Sequence, residues 1–138
     1  MARRDVRVSE TELEVLKILW EVGSGTVREV HGILEARGRR WAYTTVLTLL
    51  QRLQAKKCVA SEARGVAYIY RPVVSRDELL ARRLKGLADE LCEGAATPLV
   101  MALVQSQRFS PDEIDQFRRL LDEVEPEAKP RRKGSRGK

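Results

Sequence analysis

Apolar residues recur every three or four positions through the first third of the chain, then every second position, then every three or four again. Leu13, Leu16, Leu19 and Trp20 mark one face of a helix from about Glu10 to Val22. Ser9 and Glu12 open it as a capping box, and Gly23, Ser24 and Gly25 stop it. Thr26 and Glu29 repeat the box for a second helix to about Arg37, buried along Val27, Val30, Ile33 and Leu34 and stopped by Gly38. A third helix falls within Trp41 to Lys57, with Val46, Leu49, Leu50 and Leu53 on one face. After Lys57 the period changes to two. Cys58 to Ala63 and Val66 to Val73 read as strands joined at Arg64-Gly65, with Tyr68 and Tyr70 on one face. Three helices followed at once by a hairpin describe a winged helix-turn-helix domain.

Behind the hairpin the helical period returns. A long helix starting at Ser75 or Asp77 and running to about Glu93 carries Leu80, Leu84, Leu87 and Leu91 at steps of four and three, a narrow seam. Ala95 to Gln105 reads as a short helix with Leu99, Val100, Met101, Leu103 and Val104, apolar nearly all round. Such a helix must be covered on every side. Ser110-Pro111-Asp112-Glu113 starts a last helix to about Val124, with Ile114, Phe117, Leu120 and Leu121 inward. A second copy of the chain is the economical cover for these helices, and folding back on the front domain is the alternative. The expected architecture is mainly α with a small β-hairpin wing. It comprises a basic arm (1–8), a winged helix-turn-helix domain (9–74), a helical dimerisation domain (75–124) and a disordered basic tail (125–138). Leu80, Leu84, Leu87, Leu91, Leu99, Val100, Leu103, Phe117 and Leu121 are the expected dimerisation residues.

Charge sharpens this picture. The net +6 of the 138 residues is unevenly spread. Residues 1–74 hold 13 basic and 8 acidic side chains, residues 75–128 hold 7 and 12, and residues 129–138 hold 6 and none. A basic front part points to an anionic partner. Within it, the polar face of the third helix (Thr44, Thr45, Thr48, Gln51, Arg52) carries hydroxyls, an amide and a guanidinium but no carboxylate. Short donors and acceptors of this kind fit a DNA groove, although an ordinary Thr-rich surface helix would read the same way. Arg39 and Arg40 precede that helix, and Arg64, at the tip of the wing, is either a phosphate contact or a plain turn residue.

Other chemistry is thin. Cys58 and Cys92 stand far apart, His31 is the single histidine, and no phosphate loop or hydrolase motif occurs. The reading is therefore of a non-enzyme without cofactor or metal. Its thiols are incidental, as in a reducing cytoplasm, and no apolar run is long enough to insert in a membrane. The competing reading is a winged-helix module that docks a protein through Leu47 and the fifth helix rather than DNA.

The stretches SETELEVLKILW, TVREVHGILEARGRRWAYTTVLTLLQRLQAKKCV and AYIYRPVVSRDEL resemble the BlaI/MecI penicillinase-repressor family of bacterial regulators. A weaker match runs through LVMALVQSQRFSPDEIDQFRRLLDEV, so the resemblance covers about Ser9 to Val124. It implies a homodimer that represses genes, often for β-lactam resistance, from an inverted-repeat operator. By position, Thr44, Thr45, Thr48 and Arg52 fall on residues that face DNA, and Trp41 matches a Trp found just before the recognition helix in some members. A membrane sensor protease pathway is the further partner implied. Three departures stand out. Thr44 and Leu47 occupy positions that are basic in staphylococcal members, Ala102-Leu103 stands where those members are cut at Asn-Phe, and the tail lacks the cysteine motif of the copper-responsive branch.

Overall fold

A computed structural model of the chain describes residues 7–126. The arm through residue 6 and the tail from residue 127 lie outside the described residues, and so do the expectations placed on them. The chain divides into two compact units, Met1–Ala96 and Thr97–Lys138.

The first unit contains α1 (Glu10–Val22), α2 (Val27–Ala36), α3 (Tyr43–Ala55), β1 (Val59–Arg64), β2 (Ala67–Pro72) and α4 (Arg76–Leu91). Both capping boxes read at the front of the chain are present. The Ser9 hydroxyl accepts from the Glu12 N–H and the Thr26 hydroxyl from the Glu29 N–H, each glutamate reaching back to the N-cap amide. Each box satisfies two donors that a helix start otherwise leaves open. The inward residues of the three helices form one core with Val59 and Tyr70 of the wing, Val74 after it and Leu79 of α4. Trp20 packs at its edge and donates its indole N–H to the Val74 carbonyl at 2.8 Å.

The wing is a two-stranded antiparallel ribbon in the register Val59↔Pro72 to Arg64↔Ala67. Its turn is Gly65-Val66, one residue later than expected, and Arg64 is the last paired residue of β1. Gly65, at φ +63°, takes the first central position of the two-residue loop, where a positive φ is needed. Gly25 adds a short third rung: its N–H and carbonyl pair with the carbonyl and N–H of Tyr70. The hairpin is thereby tied to the turn between α1 and α2.

Compactness groups α4 with the winged helix. Ser75 caps it with a third box, Leu79 and Ala88 are buried, and Arg83 donates to the Val8 carbonyl at 2.6 Å. Its seam leucines Leu80, Leu84, Leu87 and Leu91 face solvent in the single chain. The second unit contains α5 (Thr97–Ser106) and α6 (Pro111–Glu123), the latter opened by a box from Ser110 to Glu113 with Pro111 in the first turn. Phe109 and Phe117 meet edge to face at 5.0 Å. Neither helix buries a residue fully, and Val100, Met101, Leu103, Val104, Leu120 and Leu121 are exposed. Among the described residues no helix is long and apolar enough to cross a membrane.

Candidate nucleic-acid interface

The site is built on α3. Val46, Leu49, Leu50 and Leu53 anchor it in the core, which fixes its opposite side as the outward one. Thr44, Thr48 and Gln51 follow one another along that side at steps of four and three, with Arg52 beside them and Thr45 at its edge. All five are exposed, and none of their side chains has a hydrogen-bond or ionic partner among the described residues. Gln51 belongs to this strip as much as the threonines do. It lies about one turn beyond Thr48, as its place on the polar face of the sequence pattern implies. Leu47, expected to be exposed, is half-buried and packs against the core.

The electrostatic setting is one-sided. Residues 36–61 contain no Asp or Glu and hold Arg37, Arg39, Arg40, Arg52, Lys56 and Lys57. The first turn of α3 has no acid, whereas α1, α2, α4 and α6 each carry at least one there. Nor does α3 have a side-chain cap; Ala42 fills the N-cap position. An acid in that turn would favour the helix dipole but repel a polyanion.

Around this helix the expected residues separate into two groups. Arg40 and Arg64 are exposed, Arg64 at the wing tip beside the fully exposed Val66. The wing is held against α3 by the Ser61 hydroxyl, which donates to Gln54 Oε1 at 3.1 Å. Arg39 is engaged within the protein instead. It donates from Nε and Nη2 to the two Glu14 carboxylate oxygens at 2.8 and 2.7 Å, and its guanidinium lies 5.4 Å from the centre of the Trp41 ring. Trp41 is half-buried, and its carbonyl accepts from His31 Nε2 at 2.9 Å. Neither Glu14 nor His31 stands out in the sequence as part of this turn. The partners of both lie far along the chain and carry no local signal.

At the other end of α3, Lys56 folds inward. Its Nζ donates to buried Glu12 and to the Arg7 carbonyl. Burial alone would raise the Glu12 carboxyl, but hydrogen bonds from Lys56 and Ser9, with the Lys56 charge, hold it below the usual range. Burial pushes the neighbouring Cys58 thiol up, which keeps it protonated and a poor nucleophile. No group of three or more His, Cys, Asp or Glu residues among the described ones is placed to hold a metal ion.

Comparison with known proteins matches residues 8–123 to the penicillinase repressor family. The chain is similar to the transcriptional regulator BlaI of Mycobacterium tuberculosis, 40% identical over 121 residues that cover 86% of each chain. It is 24% identical over 117 residues to the penicillinase repressor of Bacillus licheniformis, covering 85% of this chain and 91% of the relative. Among solved structures, the DNA-binding domain of the repressor BlaI aligns with 56% of this chain and 93% of its own, at 27% identity and a TM-score of 0.49. The family match spans nearly all the described residues, so this chain belongs to the penicillinase-repressor (BlaI/MecI) family of winged-helix, DNA-binding transcriptional repressors, which are not enzymes.

Proposed function

We propose that this chain represses transcription as a homodimer seated on an inverted-repeat operator, with one α3 from each copy in the major groove. The observation that carries this is the outward face of α3, which is exposed, free of acid and unpartnered among the described residues. Thr44, Thr45 and Thr48 then meet base edges and thymine methyls, while Arg40, Arg52 and Arg64 meet phosphates and fix the register. Trp41, half-buried, stands at the start of the helix as a packing residue. Docking of a protein through Leu47 has little support, because that side chain is packed against the core.

A second copy is the natural cover for the apolar side chains that follow the wing in the chain. Leu80, Leu84, Leu87 and Leu91 on α4 are exposed in the single chain, as are Val100 and Leu103 on α5 and Phe117 and Leu121 on α6, with Leu99 half-buried. Apolar patches of this extent mark interaction sites. Relatives that are a penicillinase repressor and a methicillin resistance regulator favour β-lactam resistance genes as the regulated set, with cell-envelope stress genes the other candidates and a membrane sensor protease pathway the upstream signal in this reading.

The test is a gel-shift titration of genomic fragments at several salt concentrations with the wild-type chain and Arg52→Ala. The wild type is expected to select particular fragments. Arg52→Ala is expected to weaken binding to all fragments and to flatten the slope of log affinity against log salt by about one unit. Fragments bound without selectivity at moderate salt would overturn the DNA reading, and an unchanged slope would remove Arg52 from the phosphates.

A further inference from the structure

The turn that leads into α3 is unusually well restrained for a segment with no helix cap at its end. Gly38, at φ +90°, closes α2: its N–H donates to the Glu35 carbonyl and the Arg39 N–H to the Leu34 carbonyl, the paired bonds of a Schellman motif. Arg39 leaves that motif with its guanidinium forked onto Glu14 of α1 and stacked over Trp41. Two residues on, the Trp41 carbonyl accepts from His31 of α2. A carbonyl has no hydrogen to give, so His31 Nε2 carries it. The His31 ring also meets the edge of Tyr43, the first residue of α3, at 6.0 Å.

We infer that Glu14, Arg39, Trp41 and His31 form a clamp that sets the direction in which α3 leaves the turn, and that Arg39 and Glu14 are positioning residues for DNA binding rather than a phosphate contact and a bystander. This rests on the reading of α3 as the DNA helix. α1, α2, α4 and α6 each begin with a capping box that fixes how the chain turns into the helix. α3 begins with none, so its direction is set from outside by groups on α1 and α2. A cap on α3 would have placed an acid or a side-chain acceptor at the end that faces the duplex. The clamp restrains the same backbone from behind and leaves that end open. The pair is partly exposed, so its ionic attraction contributes little to folding. What it supplies is geometry: a planar fork on a carboxylate and a stacked ring admit few orientations.

The two roles for Arg39 predict opposite signs. If Arg39 were a phosphate ligand held back by Glu14, removing the carboxylate would release it and tighten binding. If the pair positions α3, removing either member weakens binding. The test uses a duplex that the full-length wild-type chain selects from a randomised pool. Glu14→Ala and Arg39→Ala are each expected to lose affinity roughly fivefold, with the salt slope unchanged and the double variant no worse than either single one. Arg39→Lys, which keeps the charge but not the fork, is expected to fail to restore binding. Melting curves should superimpose on the wild type, and Glu14→Gln serves if Glu14→Ala does not fold. Tighter or unchanged binding by Glu14→Ala, a slope lowered by about one in Arg39→Ala, or full rescue by Arg39→Lys would overturn the clamp. Failure of the wild type to select any duplex would sink the DNA reading itself, an outcome separate from these.

Discussion

Glu12 shows how one buried side chain can serve three elements at once. Its carboxylate completes the α1 capping box, takes the Lys56 ammonium at the end of α3, and through Lys56 is linked to the Arg7 carbonyl of the arm. Its carboxyl is held below the usual range although burial opposes this. A depressed carboxyl contributes stability that is present above its unfolded value, ~4.3, and lost as pH falls through the folded one. Lys56→Met leaves the carboxylate buried without its cation and is expected to cost about 3 kcal/mol at pH 7. In that variant only the Ser9 hydrogen bonds still oppose burial, so the carboxyl rises from its wild-type position and protonation relieves part of the loss. Urea unfolding at pH 7 and pH 5 should therefore show the gap between wild type and variant narrowing at the lower pH. An equal gap at both would mean that Glu12 is not what Lys56 neutralises.

At the scale of elements, the turn from α2 to α3 depends on Gly38 for its shape. A Cβ there would meet no neighbouring atom within 4 Å, so replacing it costs only the backbone term of a positive φ. Gly38→Ala is expected to destabilise the chain by about 1 kcal/mol, read as a lower urea midpoint at unchanged slope. A change within error would show that the turn relaxes freely. The legibility of each element follows from the range of the forces that make it. Ser9, Thr26 and Ser110 bond to residues three positions away, so the helix starts they make could be read directly from the chain. The inward face of α3 was equally plain, because Val46, Leu49, Leu50 and Leu53 keep one helical period and are all buried. The hairpin turn slipped by one residue because Gly65 suits either register locally, and the pairing of Arg64 with Ala67 decides it. Glu14 and Arg39 are 25 positions apart, and nothing local foretold that Arg39 would turn inward. The amphipathic pattern likewise left Leu47 outside the core, because its cover comes from tertiary packing.

For the whole molecule, the division of labour follows from where the chain is saturated. The winged helix closes its own core and leaves one acid-free helix face open. The helices that follow it in the chain, α4 to α6, leave most of their large apolar side chains exposed in a single copy. Covering them with a second copy would present two α3 faces related by a two-fold axis, and the operator should mirror that symmetry. The most direct measurement is affinity for a selected inverted-repeat duplex compared with the same duplex carrying about five extra base pairs between its halves, roughly half a helical turn. The dimer account predicts that the insertion moves one half-site to the far side of the duplex and reduces binding to that of a single half-site. Equal affinity for the two duplexes would contradict it.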